Sequence, residues 1–392
     1  MQTSGRSQLL VEGWTGINHS YAMVNQYQLL EFLKVDQIGI FHREAPYFSS
    51  GWSKDNVGAG FPPADAMLLA NLPEYRGEAV SAVYRIHAPA SLALTTSDVP
   101  DVPVITFLVT EFGLDPNSFA PSADVAAYAA AGHKVVTPSE WSRQRMLDYG
   151  FPAESVYVVP HGVDGQRFYP LASEARQLAR AALGYHDDHV VLLNVGAPIW
   201  NKGLDLVLES FVRARQKNKN LRLLVKDQQA LYGMTAVRLL QDMVKQGRMQ
   251  LTEDDIAAIS VIPQSLSVAQ LRELYGVADF YLSPYRAEGF NLPVIESIAC
   301  GTPVLVSSGG ATDDFCDSNT AARIPTTLAR NVVIGDKTLA ACLMPDVEAL
   351  NELLGQCARG ELVLRSRIGF GRADLLSRFP WRRATELITA LL

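Results

Sequence analysis

Short apolar runs alternate with longer stretches of helical character along the whole chain. In the first half the runs cover residues 8–11, 37–41, 80–86, 104–109, 134–137 and 156–159. In the second half they cover 190–195, 221–225, 258–262, 280–282, 303–306 and 321–324. They are nearly continuous in apolar character rather than alternating, as strands are when helices cover both faces of a parallel sheet. Two such sets predict an α/β chain of two doubly wound, Rossmann-like domains. Strand character lapses between 163 and 189, where Gly162, Gly165 and Pro170 punctuate the chain and 171–183 reads as a helix. The boundary is set at its end, giving domains 1–183 and 184–375. One helix is specified locally: Ser139 caps it, 141–149 fills it, and Gly150 ahead of Phe151-Pro152 stops it. The tail 376–392 closes with a helix that carries Leu387, Ile388, Leu391 and Leu392 on one face.

Composition narrows the function. At 392 residues, 48% hydrophobic and 19% charged, the chain has material for two cores and no sign of wholesale disorder. A formal net charge of −7 argues against nucleic acid as the main partner, because neutralising phosphates needs a surplus of Lys and Arg. No apolar run approaches the roughly 20 residues of a spanning helix. Residues 1–7 carry no apolar stretch of the kind a secretory signal needs, so a cytoplasmic protein is expected. Cys300, Cys316, Cys342 and Cys357 lie far apart without a Cys-x-x-Cys pair, which fits reduced thiols better than disulfides or a zinc site.

The strongest chemical signal is Ser283-Pro-Tyr-Arg-Ala-Glu-Gly-Phe-Asn-Leu-Pro-Val-Ile-Glu296, followed by Ser-Ile-Ala-Cys-Gly-Thr-Pro-Val304. A strand ends in a loop bearing Glu288 and Gly289, and a helix starts near Leu292 with Pro293 in its first turn. A strand end, a glycine-bearing loop and a helix N-terminus together make an anion site. Carboxylates at Glu288 and Glu296 suit hydroxyl groups, since each accepts two or more hydrogen bonds. On physics alone, a plain connecting loop explains the segment about as well.

The segment resembles the Glu-x7-Glu signature of the retaining GT-B glycosyltransferases called glycosyl transferases group 1, or family four. Other stretches agree in order and spacing: Val135-Val-Thr-Pro-Ser-Glu-Trp-Ser142, Val159-Pro-His-Gly-Val-Asp164, Val195-Gly196 with Lys202-Gly203, and residues 271–279. The resemblance implies two Rossmann-like domains around a cleft, with the C-terminal helix crossing back to the N-terminal domain. It implies a nucleotide diphosphate sugar as donor substrate and no separate cofactor. Glu296 would hold the ribose and Glu288 the sugar hydroxyls, with amides of Gly289, Phe290, Asn291 and Leu292 on sugar and diphosphate. Lys202 would meet the diphosphate as a point charge. No Asp-x-Asp metal signature is evident, so cation and helix N-terminus are expected to replace a metal. One departure stands out. Members commonly carry an Arg after the glycine of Val-Gly, and here Ala197 follows Gly196, leaving Lys226 or Arg286 to compensate.

The N-terminal candidates rest on less. Gly13 and Gly16 lie in a turn after the first strand, where a backbone can approach a phosphate or a sugar, although a plain tight turn reads as well. The family often places a His after a central strand; here Glu111 stands there, the one nucleophile candidate for a covalent route. His87 and His19 are further cleft candidates, and His161 reads as interdomain packing. The expected activity is metal-independent transfer of a sugar, with retention, to a glycan, lipid-linked or small-molecule acceptor hydroxyl. The alternatives are a non-catalytic GT-B subunit that binds sugar or glycan, and a GT-B epimerase or phosphorylase.

Overall fold

The computed structural model describes residues 6–47, 49–53, 60–86, 99, 102–114, 124–335 and 337–392. The chain forms two compact units, Met1–Gly162 together with Phe379–Leu392, and Val163–Arg378. The division falls after Gly162, not at 183. The helix Ser173–Ala182 belongs to the second unit because Arg176 and Arg180 both grip Asp279 there, at 2.8 and 3.0 Å.

In the first unit the strands are β1 (Ser7–Gly13), β2 (Ile38–Glu44), β3 (Ala82–Ile86), β4 (Val104–Phe107), β5 (Lys134–Thr137) and β6 (Val156–Val158). They form one parallel sheet in the order β2-β1-β3-β4-β5-β6. Apolar side chains such as Leu9, Leu10, Val11, Val83, Val135 and Val136 are fully buried, as strands covered on both faces require. One charged pair interrupts this core: Glu12 on β1 and Arg85 on β3 are register partners, joined at 2.9 Å. The helix Glu140–Tyr149 has the ends its sequence specifies. The Ser139 hydroxyl accepts from the Ser142 amide, and Gly150 closes it at φ 117°. The C-terminal helix Trp381–Thr389 packs on the helix Ser20–Phe32 of the same unit, with Trp381 stacked on Tyr27 at 4.7 Å.

The second unit contains β7 (Val190–Val195), β8 (Leu221–Lys226), β9 (Ile259–Ile262), β10 (Phe280–Ser283), β11 (Val304–Ser307) and β12 (Ala321–Ile324). Their order is β12-β11-β10-β7-β8-β9, again parallel throughout. Counted within the unit this is 6-5-4-1-2-3, the doubly wound order of dinucleotide-binding folds. One face of the sheet packs Leu221, Leu223, Val225, Leu192, Phe280 and Leu282 against the helix Leu204–Arg215 and its neighbours. A further hairpin, β13 (Thr326–Ile334) and β14 (Lys337–Pro345), lies outside the twelve expected strands. Among the described residues its two strands pair only with each other, and Val333 is 69% exposed. All four cysteines are buried free thiols. Among the described residues no helix is long and apolar enough to cross a membrane.

Candidate functional site

The second sheet reverses its winding between β7 and β10, which lie side by side. Loops leaving the carboxyl ends of two such strands diverge and open a crevice. After β7 the chain runs through Gly196 and Ala197 to the tight turn Trp200–Lys202. After β10, residues 284–291 lead into the helix Leu292–Ala299.

The two loops are fastened together. The Asn201 carbonyl accepts from the amides of Arg286 at 2.7 Å and Ala287 at 3.3 Å. Gly203 adopts φ 74°, and a Cβ there would collide with the Pro284 carbonyl oxygen, so the close approach demands glycine. Arg286 holds both carboxylate oxygens of Asp205 at 2.8 Å and the Trp200 carbonyl at 2.6 Å, with its guanidinium over the Trp200 ring. Arg286 is therefore a brace between the loops. Its planar fork is committed to Asp205.

This brace brings Lys202 and Glu288 together, Nζ to Oε2 at 2.7 Å. The Glu288 residue is only 8% exposed. Next to it, Asn291 enters the helix in the left-handed region at φ 79°, steadied by a bond from its Nδ2 to the Ser283 hydroxyl at 2.9 Å. No side chain caps the helix, so its first amides keep the donor capacity that a helix start presents to an anion. The Phe290 side chain is buried against Phe315 at 4.9 Å. Leu292 and Pro293 form the first turn.

Glu296 lies one turn further in and accepts from the Tyr275 phenol at 2.8 Å. Burial pushes its carboxyl up to about 8, against the opposing pull of that hydrogen bond. The Tyr281 phenol donates to the Val195 carbonyl at 3.1 Å and is raised by burial and by both Glu288 and Glu296. Tyr281 thus lies within electrostatic reach of both carboxylates. Tyr275 and Tyr281 escaped the sequence reading. For Tyr281 the signal was a tyrosine within a short apolar strand, whose hydroxyl must find a partner once buried. Lys226 ends β8, next to Val195 in the β7 register. Among the described residues no group of three or more His, Cys, Asp or Glu could hold a metal ion.

In the first unit the candidates have structural partners. Gly13 is held against the Ile86 carbonyl, 2.7 Å from where a Cβ would sit. The amides of Thr15 and Gly16 are already occupied, by Glu44 at 2.7 Å and Gln26 at 3.0 Å. His19 caps the helix Ser20–Phe32, its Nδ1 accepting from the Tyr21 amide. Glu111 follows β4, and its carbonyl accepts from Trp141 at 2.8 Å. His161 lies between Phe107 and Trp381, and burial drives it down to about 3. Both of these aromatic neighbours belong to its own unit. His87 lies outside the described residues.

Known glycosyltransferases resemble this chain in sequence and in fold. Residues 175–327 match the family model described as Glycosyl transferases group 1. The chain is 30% identical over 169 residues to mannosylfructose-phosphate synthase of Agrobacterium fabrum, covering 42% of this chain and 35% of that one. It is 33% identical over 186 residues to D-inositol 3-phosphate glycosyltransferase of Geodermatophilus obscurus, covering 46% and 39%. It thus spans only a third to two fifths of the length of these curated relatives. Over 98% of its length the chain superposes on a glycosyltransferase from Rickettsia africae, with TM-score 0.71 at 13% identity and 97% of that chain covered. Anabaena Alr3699/HepE in complex with UDP-glucose gives TM-score 0.66 at 13% identity, each chain 98% covered. The fold is GT-B, two Rossmann-like domains.

Proposed function

We propose, from the membership of residues 175–327 in the glycosyl transferases group 1 family, that this chain moves a sugar from a nucleoside diphosphate sugar to an acceptor hydroxyl. The observation that carries the reading is the Lys202–Glu288 pair at 2.7 Å, beside an uncapped helix start at the switch point of a doubly wound sheet. Breaking the anomeric bond leaves a nucleoside diphosphate with growing negative charge. Lys202 and the amides of residues 289–292 are preorganised where that charge would develop, and such groups lower the barrier without further reorganisation. Glu288 grips sugar hydroxyls and Glu296 the ribose. The chemistry is metal-independent with retention, in keeping with the family resemblance. The acceptor is a glycan, a lipid-linked sugar or a small molecule. We assign the reaction to the cytoplasm, where buried free thiols persist.

Purified protein incubated with UDP-, GDP- and ADP-sugars should release nucleoside diphosphate from one of them. Lys202→Ala and Glu288→Ala should each cut that turnover ten-fold or more at unchanged far-ultraviolet circular dichroism. Full turnover in both variants would remove the reading. A donor-binding subunit without transferase chemistry is the second reading. It is favoured by Ala197, an uncharged side chain where the family has an arginine. Nucleotide binding without any donor cleavage or transfer would establish it.

A further inference from the structure

Lys226 is 7% exposed, and its ammonium donates to the backbone carbonyl of Asp227. Among the described residues it makes no ion pair. The carboxylate that acts on it, Asp227, is itself fully buried and accepts from the amides of Gln229 and Ala236. A buried ammonium held only by a carbonyl is costly unless an anion joins it. Burial accordingly depresses its proton affinity below the ordinary lysine range.

Its position gives that anion a place. Leu221, Leu223 and Val225 point into the core under one sheet face, so Lys226 leaves β8 on the opposite face. Phe280 and Leu282 share that core, so Tyr281 stands on the same side as Lys226. Between them, just past the end of β7, the Gly196 amide donates to the Lys226 carbonyl at 3.0 Å. Gly196 has φ 153°, and nothing lies within 4 Å of where a Cβ would be. The strand end of β7 is therefore open, with Lys226 on its β8 side and Lys202, Glu288 and the helix start at Leu292 on its β10 side.

We infer that Lys226 is the second cation of the diphosphate site, reaching from β8 across the open end of β7 to the phosphate opposite Lys202. This rests on the reading of the site as one for a nucleoside diphosphate sugar, and adds a residue from a different strand to it. The buried ammonium gains its counter-charge when the donor binds and keeps it as the leaving group forms.

Calorimetric titration of the full chain with UDP, GDP and ADP identifies the diphosphate it takes, and the matching nucleoside and monophosphate are then titrated. Lys226→Met should weaken diphosphate binding by roughly ten- to a hundredfold, the effect of losing one charge-assisted hydrogen bond. It should leave nucleoside binding within about twofold and should not lower the melting temperature, since an apolar chain replaces an unpaired buried charge. Lys226→Arg should recover part of the loss, and Lys226→Gln is the alternative variant if Met does not fold. Equal losses for nucleoside and diphosphate would move the contact to the base or ribose and overturn the inference. So would an unchanged diphosphate affinity. A wild-type chain that binds none of the three diphosphates would overturn the parent reading, an outcome seen before any variant is made.

Discussion

Glu296 accepts from Tyr275 alone among the described residues and is otherwise desolvated, which raises its carboxyl from 4.5 to about 8. A raised acid is protonated in the folded state while the unfolded chain has already ionised. The unfolded state therefore gains relative stability as pH climbs from about 4.5 to about 8, at no more than about 1.4 kcal/mol per pH unit, and the effect levels off above. Glu296→Gln removes this term. Its melting temperature should pull ahead of the wild type progressively between pH 5 and pH 8, while nucleotide binding weakens through loss of the carboxyl group. A constant difference across that range would show that Glu296 does not titrate in this window. Tyr275→Phe deletes the bond that opposes burial, so the same window should shift upward. None of this was legible from residue type: Glu296 could be located on its helix from sequence, but its protonation depends on burial, opposed by a tyrosine 21 positions away.

At the level of elements, the twelve apolar runs fold as the twelve strands of the two sheets because parallel strands buried on both faces leave a simple apolar signature. The Glu288 loop was equally visible, since its glycine, asparagine and proline each mark a backbone requirement. The brace between the loops was not visible. Asp205 and Arg286 are 81 positions apart, and nothing local marks them as partners. The β13–β14 hairpin was missed for another reason. Residues 339–344 do form an apolar run, but the two strands pair with each other off both main sheets, so the strand–helix rhythm of the chain gives them no place. Its base nevertheless touches the site, where the Leu343 amide donates to the Arg286 carbonyl at 2.7 Å. Gly203 tests the loop fastening. Gly203→Ala adds a methyl group against the Pro284 carbonyl in a left-handed backbone, and should cost about 1–3 kcal/mol of stability in denaturant titration. It should also lower donor turnover by displacing Lys202 from Glu288. Unchanged stability would mean the loops separate without penalty.

At the scale of the molecule, the chain leaves its first unit at Gly162 and returns to it at Phe379, so one compact body is built from both ends of the sequence. The return is fixed by tight packing. A Cβ on Gly162 would collide with the Trp381 backbone, and the Trp381 ring stacks on Tyr27 and lies 5.8 Å from His161. The apolar face of the last helix could be read from sequence, with Ile388 now fully buried, but its destination came only from the resemblance. Such a covalent return means that the two bodies differ in what holds them together: the first depends on a segment that the second only carries. Trp381→Ala removes a large buried side chain and should cost the first unit about 3–5 kcal/mol. The second unit holds all the residues proposed to bind the nucleotide within Val163–Arg378 and should keep its own melting transition. Differential scanning calorimetry of the variant should therefore show an early transition that added nucleoside diphosphate does not shift. A later transition should rise with ligand concentration, as mass action requires of the unit that binds it. A single transition lowered throughout, and moved as a whole by nucleotide, would show that the second unit cannot stand without the first.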